Sequence, residues 1–201
     1  MATSPSSRSA VVERRTGETD VRVAVTLDGS GAGTRRTGVG FFDHMLDLFA
    51  RHGRLDLSVE ATGDLDTGAH HTVEDVGIAL GRALDQALAD RLGITRYGTA
   101  VVPMDEARAE AALDISGRGM LVFEPELPPG AIHTFDHELC REFLQALAAN
   151  AKLTLHVSVP AGTNVHHIIE AIFKAVARAL RVAVSLDPTE PGVPSTKGTL
   201  S

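Results

Sequence analysis

The sequence predicts an internally duplicated α+β fold, two similar halves whose helices pack between two β-sheets. Three observations predict it. A helix opened by His-His-x-x-Glu occurs twice, from His70 and from His166. Strict apolar–polar alternation, the period of a strand packed on one side, precedes each helix. A gapless register also carries residues 44–59 onto residues 142–157, matching Leu46 with Leu144, Ala50 with Ala148, Leu55 with Leu153, Leu57 with Leu155 and Val59 with Val157.

Taken in order, residues 1–10 are polar and serine-rich and are expected to form a disordered tail, without the apolar stretch of a secretory signal. The first half, residues 11–95, opens with a strand at 11–15, broken at Thr16-Gly17-Glu18. Residues 20–28 alternate, with Val21, Val23, Val25 and Leu27 on one face. Residues 29–40 form a glycine-rich turn with Arg35 and Arg36. No GK[ST] leads from it into a helix, so it is not a phosphate loop. Residues 41–53 are a short amphipathic helix with Met45, Leu46 and Phe49 inward and Gly53 as its stop. Leu55, Leu57 and Val59 mark the next strand, and a polar loop delivers the chain to His70. The second half, residues 96–184, repeats this order. Leu113-Asp114-Ile115-Ser116-Gly117 echoes Leu27-Asp28-Gly29-Ser30-Gly31, a helix is expected over 136–150, and Asn164 is placed to cap the helix of His166. Residues 185–201 form a Pro- and Gly-rich tail, and the two halves are expected to share one core.

Composition excludes several classes. The 201 residues are 43% hydrophobic and 22% charged, as in a soluble globular protein. A net charge of −7 without a basic stripe argues against nucleic-acid binding. No apolar run approaches a membrane span. The lone Cys140 excludes an intrachain disulfide and a cysteine-ligated zinc. A cytoplasmic protein is expected.

The chemistry lies in the repeated motif. A helix turns about 100° per residue, so Glu74 lies angularly between His70 and His71, and Glu170 between His166 and His167. Adjacent histidines point apart, which suits ligation of two metals rather than one. A histidine at a helix start is more often a cap or surface residue, but recurrence at the same point of a repeat favours metal. The 44–59 register adds His44 and, opposite it, Glu142. Aligning the two Phe-Asp-His triplets would nominate His137 instead, but sets Lys152 against Val59 and destroys the strand match. The candidate metal ligands are therefore His44, His70, His71, Glu74, Glu142, His166, His167 and Glu170. Eight imidazoles and carboxylates serve two six-coordinate metals with open positions, and Mn²⁺ suits such donors. His52, His133, His137 and His156 are expected to be structural or surface residues.

FFDHMLDLFARHG, HHTVEDVGIALGRAL, LDISGRG, HVSVPAGTNVHHIIEAIFKAVARALR and PSTKG together resemble the imidazoleglycerol-phosphate dehydratases of histidine biosynthesis, from Glu13 to the C-terminus. The resemblance implies a duplicated ribosomal-protein-S5-domain-2-like unit with four helices between two β-sheets. It also implies a homo-oligomer of 24 subunits with two Mn²⁺ per active site where subunits meet. The reaction implied is dehydration of D-erythro-imidazole-glycerol 3-phosphate to imidazole acetol phosphate. Ring nitrogens bound to metals would let the imidazole become an imidazolate able to expel the neighbouring hydroxyl. By the same resemblance, Glu18 takes a proton-transfer role alongside catalytic His71, Glu74, His167 and Glu170. Arg96, Arg118 and the Ser195-Thr196-Lys197 segment bind the substrate's phosphate end, with His44 also near substrate. Two alternatives stay open: a binuclear metal phosphohydrolase, and a shell in which metals only join subunits. A structural site needs no phosphate grip, and a phosphohydrolase would release phosphate.

Overall fold

Alternating valines build the first sheet. The computed structural model describes residues 8–200; residues 1–7 of the expected tail lie outside the described residues. β1 (Ser9–Arg15) and β2 (Thr19–Thr26) form an antiparallel hairpin with Val12 opposite Val23. The fold thus starts before residue 11, because Ser9 and Ala10 already pair with Thr26 and Val25. After β2 the glycine-rich stretch folds back and supplies β3 (Arg35–Arg36). Next come α1 (Gly40–Gly53), β4 (Asp56–Gly63), a short 3-10 turn and α2 (His70–Leu88). The sheet order is β1-β2-β4-β3, with β3 parallel to β4. The glycines here serve close approach: a Cβ on Gly33, at φ 115°, would lie 2.0 Å from the Leu57 carbonyl oxygen. The Asp56 carboxylate accepts from the Ser30 and Ala32 N–H groups, which hold its pKa below the usual carboxylate range.

The second half repeats the plan. β5 (Tyr97–Met104), β6 (Ala107–Asp114) and β7 (Met120–Phe123) are followed by a small hairpin, β8 (Ala131–Ile132) and β9 (Phe135–Asp136). Then come α3 (Leu139–Ala151), β10 (Thr154–Ala161) and α4 (Val165–Val184). The sheet order β5-β6-β10-β7, with β7 parallel to β10, reproduces the first sheet strand for strand. α3 starts later than the expected residue 136, because Phe135 and Asp136 are paired in β9 with Ile132 and Ala131.

Two details fix the register between the halves. β4 and β10 stand 98 residues apart at both ends. α1 and α3 end on Arg54 (φ 52°) and Lys152 (φ 55°), whose N–H groups bond the Ala50 and Ala148 carbonyls, again 98 apart. The left-handed stop of α1 is therefore Arg54 and not Gly53, which is the last helical residue and buried. β2 and β6 are displaced by 88 residues, so Thr26, rather than Asp28, corresponds to Asp114. The Leu-Asp echo at 27 and 113 preserves the faces but is out of register by two residues.

Each long helix covers its own sheet: α2 lies on β1 and β2, and α4 on β5 and β6. Each also packs on the short helix of the other half, α2 on α3 and α4 on α1. The four helices thus fill the space between the two four-stranded sheets. α2 and α3 run parallel and close, with Gly77 against Phe143 and Ala146, and Gly81 against Leu147, Asn150 and Ala151. One continuous core holds both halves. At its centre Phe143 stacks on Phe173 at 5.3 Å and meets Phe42 edge-on at 5.2 Å. Burying each such ring contributes roughly 1.5–3 kcal/mol.

Candidate active site

α2 begins at His70 on Ala69, without a side-chain cap. The His70 Nε2 lies 3.9 Å from Glu74 Oε2, one turn on. The His71 ring stands nearly perpendicular to it, centroids 6.0 Å apart, so the two do not converge on one point. His71 Nδ1 meets the Asp64 carboxylate at 3.0 Å, with Glu18 Oε2 3.9 Å away. The Asp64 hydrogen bond raises the His71 pKa, and the same bond depresses that of Asp64.

α4 opens on Asn164, whose side chain accepts from the His166 N–H at 2.9 Å, as the sequence indicated. Glu170 is nearly buried. Its Oε1 accepts from Lys174 Nζ at 2.6 Å, and its Oε2 lies 3.3 Å from His166 Nε2 and 3.7 Å from His44 Nε2. Burial raises the Glu170 pKa, but the hydrogen bond and charge of Lys174, with His44 and His166, outweigh it and leave the pKa lowered. The structure thus brings His44 of α1 to the His166–Glu170 turn of α4. His167 again stands perpendicular to its neighbour, centroids 6.2 Å apart. Its Nδ1 meets Glu106 Oε2 at 2.7 Å, which raises the His167 pKa. Main-chain N–H of Asn164 first, then His167 and Thr163, push Glu106 down to about 2.

The 98-residue register sets Glu142 opposite His44, in the first turn of α3. Gly77 of α2 faces Ala146 of α3, and one turn back along the parallel helices from these two residues stand Glu74 and Glu142. His137 is off the helix, its Nδ1 bonded to the Pro128 carbonyl at 2.8 Å. Among the described residues, no group of three or more His, Cys, Asp or Glu side chains is arranged to hold a metal as the single chain stands.

The cationic residues lie elsewhere. Arg96 is clamped by Asp114 at 2.8 Å, lies over the Tyr97 ring, and donates to the Pro194 carbonyl at 2.8 Å, which ties it to the tail just before Ser195. The Ile115 N–H bonds the Arg96 carbonyl, bringing the segment that leads to Arg118 alongside. Arg118 and Lys197 are exposed, and the Lys197 N–H donates to Ser195 Oγ. The tail folds back onto the body, with Arg91 donating to the Leu200 carbonyl.

Three residues were missed from the sequence, the first being Asp64, the partner of His71 described above. Asp75, buried on α2, accepts from Arg14 at 2.8 Å and from the Thr19 hydroxyl, and so fixes the hairpin turn carrying Glu18 against the helix carrying His71. An acid on an otherwise apolar helix face was its only signal. Glu106 stands 88 residues after Glu18 and is its counterpart in the second half; the two-residue slip in the Leu-Asp echo hid it.

Fold and clusters define a duplicated α+β protein with one histidine–carboxylate cluster at the start of each long helix. Comparison with known proteins agrees. The family profile described as imidazoleglycerol-phosphate dehydratase matches residues 37–180. Proteins of that name from Moorella thermoacetica and Nitrobacter hamburgensis are 57% and 58% identical, over 97% and 96% of this chain and 100% and 98% of theirs. The Staphylococcus aureus enzyme structure superposes with TM-score 0.81 at 41% identity, covering 89% of this chain and 99% of that one. The Pyrococcus furiosus structure gives 0.82 at 38% identity, covering 94% and 100%. The chain belongs to the imidazoleglycerol-phosphate dehydratase family, and is a hydro-lyase. Among the described residues no helix is long and apolar enough to cross a membrane.

Proposed function

We propose that the chain dehydrates D-erythro-imidazole-glycerol 3-phosphate to imidazole acetol phosphate, in histidine biosynthesis in the cytoplasm, using Mn²⁺ held by the two histidine–carboxylate clusters. Family membership supports the reaction. The observation that carries the site is Glu18, an exposed carboxylate 3.9 Å from the ring of His71 at the first turn of α2. The donor set fits the metal: imidazole nitrogens of His44, His70, His71, His166 and His167 with carboxylates of Glu74, Glu142 and Glu170, and no accessible thiolate, since Cys140 is buried. Bound metal would act as a Lewis acid on the substrate's imidazole and orient it.

The chain's own residues supply the rest. Glu18 takes the proton from the carbon next to the one that loses its hydroxyl, proton and hydroxyl leaving together as water; the resulting enol takes a proton at the carbon beside the ring and becomes the ketone. Arg96, Arg118, Ser195 and Lys197, with Thr196 between the last two, offer charge-assisted bonds for the phosphate. The side chains of His44, His70, Glu74 and His166 remain 49%, 51%, 45% and 44% exposed. Ligands facing outward suit sites completed by neighbouring copies in a 24-subunit homo-oligomer. Incubation of Mn²⁺-loaded protein with the phosphorylated substrate tests the reading. The ketone should appear without free phosphate. Phosphate release without ketone would assign a phosphohydrolase and overturn the proposal.

A further inference from the structure

The two halves hold their second histidine differently. In the second half, Glu106 does two jobs. Its Oε1 accepts the N–H groups of Thr163 and Asn164 at 3.1 and 2.7 Å, and its Oε2 meets His167 Nδ1 at 2.7 Å. Asp105 Oδ2 is 3.6 Å from His167 Nε2, beyond hydrogen-bond reach. In the first half the counterpart of Glu106 is Glu18, yet Glu18 stays 3.9 Å from His71. Asp64 takes the contact instead, at 3.0 Å. Asp64 is itself fixed by the Thr67 hydroxyl at 3.0 Å, and its main-chain N–H donates to the Glu18 carbonyl at 3.1 Å.

The cause is the connection into each long helix. From the end of β4 to His70 the chain is two residues longer than from the end of β10 to His166. In the 98-residue register, Gly162 stands where Asp64 stands in the first half. No side chain fits there: φ is 152°, and a Cβ would lie 2.6 Å from Ile168 Cγ1. The second half must therefore borrow its carboxylate from the β5–β6 turn, and the first half need not.

We propose that Asp64 and Glu106 are positioning carboxylates that each hold the Nδ1–H of one histidine and leave Nε2 for metal, and that the longer connection to α2 frees Glu18 for substrate. A histidine ligand whose other nitrogen is held by a carboxylate has a fixed tautomer and ring orientation, and losing such a partner weakens metal binding roughly tenfold to a hundredfold. The division of labour leaves Glu18 free of its histidine, while Glu106, its counterpart, is engaged. The proposal rests on His71 and His167 being metal ligands.

Its test is Mn²⁺ titration, read as free Mn²⁺ by electron paramagnetic resonance, of wild type, Asp64→Asn, Glu106→Gln, Glu18→Gln and His167→Ala. The amide oxygen of Glu106→Gln still accepts from Thr163 and Asn164, so the metal-free melting temperature should hold while Mn²⁺ affinity falls tenfold or more. Asp64→Asn should do the same. Glu18→Gln should keep wild-type affinity and lose turnover. Wild-type affinity in both Asp64→Asn and Glu106→Gln overturns the proposal, as does equal weakening by Glu18→Gln. Unchanged Mn²⁺ binding in His167→Ala instead overturns the metal reading beneath it. If Glu106→Gln does not fold, Asp64→Asn decides alone.

Discussion

Gly81→Ala probes the contact between α2, which carries Glu74, and α3, which carries Glu142. A Cβ there would lie 2.8 Å from the Leu147 carbonyl oxygen and from Asn150 Cβ, and 2.9 Å from the Ala151 nitrogen. Two of these atoms are main chain, so relief requires α3 to retreat toward ordinary contact at about 3.5 Å. Overpacking of this kind costs about 1–3 kcal/mol. Alanine returns about 1 kcal/mol of helix propensity over glycine. Contacts under 3.0 Å to two main-chain atoms put the clash in the upper part of that range, about 2–3 kcal/mol, so it outweighs the propensity gain and leaves a net loss of roughly 1–2 kcal/mol, or a melting temperature lower by about 2–8 °C for a chain of this size. Because α3 carries Glu142 and α2 carries Glu74, the retreat should also weaken Mn²⁺ binding. Gly40→Ala is the control, since no atom lies within 4 Å of its Cβ; it should melt at or above wild type. Melting is measured without metal at one protein concentration, because binding and assembly shift apparent stability. A Gly81→Ala protein as stable as wild type would refute the close α2–α3 packing.

Glu142→Ala should weaken one metal site and Glu142→His should recover it, while His137→Ala binds normally; loss of metal in His137→Ala alone would show the wrong register for the halves. Lys197→Ala and Arg118→Ala should raise KM by roughly tenfold to a hundredfold with metal content intact, since charge-assisted bonds contribute roughly 1.5–3 kcal/mol; unchanged kcat/KM in both would remove them from the phosphate grip. The Asp56 pKa is depressed in the fold, so its contribution is present above the unfolded value near 3.8 and is lost as pH falls below it. Asp56→Asn should therefore flatten the acid limb of stability, and an unchanged limb in denaturant titrations would count against the Asp56-closed turn.

Periodicity carried most of the fold. Alternation located β2, β4 and β10, and the doubled helix pattern located α2 and α4, because those segments bury one face and leave a clean signature. Short elements were less visible. β3, β8 and β9 are two residues each, too short for any period, and β9 displaced the start expected for α3. The end of α1 went to Arg54 because the turn geometry, not the nearest glycine, sets the left-handed residue. Within the site, the motif itself nominated the histidines and glutamates, since a helix start fixes their directions. Asp64 and Glu106 were invisible because each meets its histidine through tertiary contact across a loop, and no local spacing records that.

The most direct test of the account is turnover in protein shown by elemental analysis to be metal-free, then titrated with Mn²⁺, for wild type, His71→Ala and His167→Ala. Wild type should form no ketone until Mn²⁺ is added, and each variant should fail to regain turnover at the same Mn²⁺ concentration. Full turnover of the metal-free wild type, or of either variant, would contradict a reaction built on the two histidine–carboxylate clusters.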